Sequence, residues 1–121
     1  MNSTQFRFQD MAIWQRGAEV SGPLFELADT LEQRRLYRFA EQLRGATLSI
    51  TNNIAEGSGS VSRDDFAHFL NMARRSLFEV ASMLLLFVRQ GHLDERRIVG
   101  LVAELEEQSR MLVAFRRSLK S

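Results

Sequence analysis

The chain has 121 residues, 45% of them hydrophobic and 26% charged, the balance expected of one globular domain spanning 1–121. Its net charge of +1 gives no general attraction to nucleic acid. The absence of cysteine excludes disulfides, thiolate metal sites and a cysteine nucleophile. One proline and seven glycines argue against a β-protein rich in tight turns.

The first ten residues carry no apolar core of signal-peptide length, and the longest apolar run, Met83 to Val88, is too short to cross a bilayer. A cytosolic protein with no membrane partner is the expectation. Fifteen of the sixteen basic residues are arginine, a bias that genomic base composition accounts for more readily than a need for forked donors.

The first helix is expected over 10–31. Its apolar residues form two bands, Met11/Trp14/Ala18/Phe25/Ala28 and Ile13/Val20/Leu24/Leu27/Leu31, so more than one face is apolar. Gly22-Pro23 predicts a kink or a break. Phe6 and Phe8, ahead of it, read as an extended arm.

The second helix is expected over 35–56, with Leu36, Leu43, Thr47, Ile50 and Ile54 facing the core. Gln42, Ser49, Asn53 and Glu56 form a polar stripe about 100° away around the helix. Gly57 reads as a left-handed cap. In the loop that follows, Ser62 is suited to cap the third helix, with Asp65 in its electropositive first turn.

The third helix, 63–90, repeats Phe66, Leu70, Ala73, Leu77, Val80, Leu84 and Phe87 at alternating steps of four and three, and Gly91 stops it. Asp94 opens the fourth, 94–119, in which Ile98, Leu101, Leu105, Leu112, Phe115 and Leu119 keep the same rhythm and Gln108 breaks it. Four such helices with short connections predict an all-α, antiparallel up-down-up-down four-helix bundle. Met83 to Val88 is apolar all round its helix, more than a monomer buries, which predicts self-association. The interface candidates are Trp14, Phe25, Met83, Leu85, Leu86 and Val88.

Trp14-Gln15, Gln42-Leu43-Arg44, Ser49-Ile50, Asn53-Ile54-Ala55-Glu56-Gly57, Ser62, Phe66, Phe69-Leu70 and Ser76-Leu77-Phe78-Glu79 together resemble the bacterial 23S rRNA intervening-sequence proteins. The resemblance covers nearly the whole chain. It implies a four-helix bundle, a ring-shaped homopentamer, and a kinship with accessory proteins of diversity-generating retroelements, which bind reverse transcriptase and nucleic acid. The sequence departs from the family pattern at Leu31-Glu32, where Phe-Pro is common, and at Arg75, where glycine is common. It is also less basic than the retroelement proteins.

The polar family-motif residues Gln42, Arg44, Ser49, Asn53, Glu56, Ser76 and Glu79 carry two readings. One is a buried network that fixes helix register; the other is a small polar site for a ligand or a partner backbone. With the hairpin turning near Ser60, Arg44 is expected to meet Glu79, Ser49 to lie level with Asn71 and Asn53 level with Ala67.

Gly57-Ser58-Gly59-Ser60 lacks the lysine and the strand of a phosphate-binding loop, and Ser58 has no partnered histidine. His68 and His92 stand apart, without metal-ligand spacing. An acid/base pair is not evident, so neither an enzyme nor a cofactor is expected. Arg34, Arg35, Arg38, Arg74, Arg75, Arg110, Arg116, Arg117 and Lys120 are the candidate contacts to RNA or DNA, modest singly but repeated around a ring. The leading expectation is a homo-oligomeric scaffold whose partner is itself, with a protein partner or nucleic acid as further possibilities.

Overall fold

The computed structural model describes residues 6–120. A single 3-10 turn, Arg7–Asp10, leads into four helices: α1 (Ala12–Gln33), α2 (Tyr37–Ser58), α3 (Arg63–Arg89) and α4 (Glu95–Lys120). Each helix packs against the next and α1 closes on α4. Cross-helix contacts fix the antiparallel sense. Arg44 near the start of α2 reaches Asp29 near the end of α1, and Lys120 at the end of α4 reaches Asp64 at the start of α3.

The core is the stripe of threes and fours. Leu24, Leu27, Leu31, Leu43, Ile50, Ile54, Leu70, Leu77, Leu84, Leu105 and Leu112 are essentially fully buried. Each contributes roughly 1.5–3 kcal/mol of hydrophobic stabilisation. Of the two bands on α1, the one from Ile13 to Leu31 is this core. In the other, Ala18 is exposed, Met11, Trp14 and Phe25 are half-buried, and Ala28 is buried.

The expected break at Gly22-Pro23 is absent, and α1 runs through it. Both residues lie on the solvent side, where the carbonyl that proline leaves without a donor can be satisfied by water. The expected extended arm is also replaced. Gln9 Oε1 accepts from the Phe6 N–H at 2.8 Å and closes the 3-10 turn, which sets Phe8 against Trp14 with ring centroids 5.1 Å apart.

Capping follows local chemistry. Ser62 Oγ accepts from the Asp65 N–H, and Asp94 Oδ1 accepts from the Arg96 N–H at the start of α4. Two left-handed stops end α1 and α3. At the end of α3, Gly91 has φ +78°, its N–H bonds to Val88 O, and the His92 N–H bonds to Phe87 O. At the end of α1 the same pair of bonds forms, Arg35 to Glu32 and Leu36 to Leu31, but the left-handed residue is Arg35, with φ +66°. A residue with a Cβ in that conformation costs about 1–2 kcal/mol relative to glycine's freedom.

Gly57 is not a cap. It lies inside α2, which ends one residue later, and Gly59 follows with φ −87°, in the right-handed region. Its role is close approach: a Cβ on Gly57 would stand 2.7 Å from Phe69 Cβ and 2.8 Å from Phe66 Cδ1. Gly57 therefore lets Phe66 and Phe69 of α3 pack directly against the α2 backbone.

Candidate functional site

The polar stripe of α2 meets α3 at Ser76. Ser49 Oγ and Ser76 Oγ are 2.8 Å apart, and Asn53 Nδ2 donates to both Ser49 O at 2.8 Å and Ser49 Oγ at 3.0 Å. Asn53 is buried, so this chain of bonds satisfies a polar group that would otherwise cost roughly 1–3 kcal/mol. Ser49 thus pairs five residues further along α3 than the expected Asn71. The loop between α2 and α3 is still centred near Ser60, so the two hydroxyls meet across levels of the hairpin and not directly opposite one another.

Above this floor lies an open groove of about 300 Å³ lined by Ser49, Asn53, Met72, Arg75, Ser76 and Glu79. Arg75 and Glu79 stand one turn apart on α3 without forming an ion pair. The remaining motif residues go elsewhere. Glu56 lines a separate hollow of about 420 Å³ with Phe6, Arg7, Phe8, Ala55, Ser58 and Gly59. Gln42 is exposed on α2.

Arg44 does not meet Glu79. Its side of α2 faces α1, as Thr51 does two turns on against Gly17. There its guanidinium holds Asp29, Glu32 and Glu41 at 2.8, 2.7 and 2.8 Å. Hydrogen bonds to Asp29 first, then Glu32 and Glu41, raise its pKa further above the ordinary arginine range.

Sequence reasoning missed what Gln108 does. The break it makes in the α4 rhythm was the available signal. Gln108 is fully buried; its Nε2 donates to Ile13 O at 3.2 Å, while its Oε1 has no partner. Gly17 leaves room for it, since a Cβ there would lie 2.8 Å from Gln108 Nε2. The amide links α4 to α1 across the core.

The apolar surface is narrower than the all-round run on α3 implied. Trp14, Phe25, Met83 and Val88 are half-buried, and all but Phe25 pack on the core. Leu85 and Leu86 are each 50% exposed, and the structure adds Phe78 at 53% and Val99 at 66%. Phe78, Ala81, Leu85 and Val102 line an apolar groove of about 380 Å³ between α3 and α4, with Glu106 and Arg110 on its rim. Phe78 lies seven residues before Leu85, a spacing visible in the sequence.

The candidate basic residues divide by partner. Arg74 stacks on the Phe78 ring at 4.6 Å and donates to Ser109 Oγ; Arg116 donates to Ala67 O. Arg110 pairs with Glu107 and Lys120 with Asp64. Arg34 donates to Gly91 O and His92 O, tying the α1–α2 turn to the α3–α4 turn. Among the described residues the side chains of Arg35, Arg38, Arg75 and Arg117 have no hydrogen-bond or ion-pair partner. His92 packs against Phe39 and Phe87, and His68 lies beside Phe69. No group of three metal-binding side chains occurs among the described residues.

Residues 9–114 match the sequence profile of the 23S rRNA-intervening sequence protein family. The chain belongs to that family. No curated protein matches it. In this intervening-sequence protein the family motif builds two things: the Ser49–Asn53–Ser76 junction and, through Gly57, the contact of α2 with Phe66 and Phe69. No helix among the described residues is long and apolar enough to cross a membrane.

Proposed function

We propose that this protein is a non-enzymatic, homo-oligomeric helical scaffold acting in the cytoplasm, assembled as a ring, and as a pentamer by the family resemblance. The observation that carries the reading is the apolar groove between α3 and α4 with its half-exposed Phe78 and Leu85. Apolar surface of that kind is costly to leave in water, and a second copy of the chain is the occupant always present. Glu106 and Arg110 on the rim offer charges of both signs, which suits contact with another copy of a nearly neutral protein. The test is a charge placed in the groove. Leu85→Glu and Phe78→Glu alter exposed side chains, so the helical circular dichroism stays and the assembly falls to monomers. Retention of full size in both variants would reject the groove as the interface.

A second reading, binding of RNA or DNA, is favoured by the arginines that no carboxylate neutralises. It predicts binding that weakens steeply with salt.

A further inference from the structure

The end of the bundle that carries the α1–α2 and α3–α4 turns gathers Arg34, Arg35, Arg38, Arg89, Arg96 and Arg97. Among the described residues only Arg96 of these six is ion-paired, to Asp94. Arg34 spends its donors on backbone carbonyls and Arg97 on the Thr30 hydroxyl. The side chains of Arg35, Arg38 and Arg89 have no hydrogen-bond or ion-pair partner among the described residues. Of the acids nearby, Asp29, Glu32 and Glu41 are gathered on Arg44, and Glu95 opens α4.

Two further observations mark the α1–α2 turn. Arg35 occupies the left-handed position of a helix stop, where glycine is the unstrained residue, and it points no side-chain bond back into the fold. Arg35 and Arg38 also flank a hollow of about 310 Å³ lined by Leu36, Tyr37 and Phe39, and Tyr37 is 59% exposed. An exposed aromatic residue bordering the same hollow as two arginines whose side chains are unpaired suits a nucleotide: phosphate on the arginines, base on the ring.

We propose that this end of the bundle is a docking site for single-stranded nucleic acid, with phosphates on Arg35, Arg38 and Arg89 and a base stacked on Tyr37. It rests on the second reading above and gives that reading a location. The helix dipole favours cations at the ends of α1 and α3 in any case. Arg35 separates the two explanations, because its strain is relieved by the residue that abolishes its charge.

The experiment measures fluorescence anisotropy of a labelled 20-nucleotide RNA of mixed sequence, titrated with wild-type protein and variants between about 50 and 200 mM salt. Arg35→Gly is expected to unfold at a higher temperature than wild type while binding several-fold more weakly. Its slope of log affinity against log salt should fall by about 0.7, the value of one phosphate contact on a single strand. Arg38→Gln and Arg89→Gln should lower the slope likewise. Tyr37→Leu should weaken binding about tenfold with the slope unchanged, the signature of stacking. Arg117→Gln, at the opposite end, should bind as wild type.

Wild-type protein that fails to bind RNA at 50 mM salt overturns both the second reading and this site. Binding that survives the turn-end substitutions but is lost in Arg117→Gln overturns the site alone. Poly-glutamate competing as well as unlabelled RNA overturns nucleic acid as the partner.

Discussion

Replacing Gly57 by alanine sets two opposing effects against each other at one atom. Alanine in a helix interior is favoured over glycine by about 1 kcal/mol. At Gly57 the added methyl would lie 2.7 Å from Phe69 Cβ, against 3.4 Å for ordinary contact, so α2 and α3 must separate locally by about 0.7 Å. Overpacking of that kind costs about 1–3 kcal/mol. Phe69 Cβ is fixed to its backbone and cannot swing away, which places the cost in the upper part of that range. The net expectation is a loss of about 1–2 kcal/mol. Gly45 and Gly100 are the controls: both are helical, exposed and have nothing within 4 Å of an added Cβ. There the same substitution should gain up to about 1 kcal/mol. Urea unfolding followed by circular dichroism at one fixed protein concentration compares all three, since any assembly adds a concentration term. Gly57→Ala as stable as the two controls would refute the close-approach argument.

Ser49→Ala should cost about 1 kcal/mol by removing the hydroxyl that Asn53 and Ser76 share, although Asn53 keeps its bond to Ser49 O, and Ser49→Ala with Ser76→Ala should cost less than the two single changes summed; thermal unfolding checks both. Arg35→Gly should raise stability by about 0.5–1 kcal/mol, because relief of left-handed strain exceeds the entropy that glycine adds to the unfolded chain; a lower unfolding midpoint would contradict it. Arg44→Met removes the cation that holds three carboxylates together, so its destabilisation should be largest at low salt and fade as salt is added. Asp94 is held down to about pH 2 by its hydrogen bonds to Arg96. A lowered carboxyl pKa stabilises the fold above the ordinary carboxylate range and loses that contribution as pH falls toward about 2. Asp94→Asn should therefore flatten part of the acid limb between about pH 4 and 2.

What was legible in the sequence was what periodicity encodes. The stripe from Phe66 to Phe87 places α3, and Ser62, Asp94 and Gly91 mark helix ends, because a cap depends on a few neighbouring residues. Register across the α2–α3 hairpin was not legible, since the position of the turn in the chain does not fix which levels of the two helices make contact. Gly57 looks like a stop signal in one dimension and acts as a spacer in three. Arg44 shows the same limit. The residues level with it on α3 can be counted from the sequence, but the side of α2 it occupies is set by how Thr51 meets Gly17. Of the polar motif, Ser49, Asn53, Ser76 and Glu79 come together around one groove, while Gln42 and Glu56 stand about two turns and one turn away along the same stripe and Arg44 lies on another side of α2. The arginines of the two turns escaped notice as a group because the α1–α2 and α3–α4 turns lie more than fifty residues apart in the chain and meet only when Arg34 bridges them.

The scaffold account rests on assembly through the α3–α4 groove. Sedimentation velocity of the wild-type protein at micromolar concentration measures it directly. The account predicts a species of about five times the 13.9 kDa chain mass, reduced to the chain mass in Leu85→Glu. A wild-type protein that sediments as a 13.9 kDa monomer would contradict it.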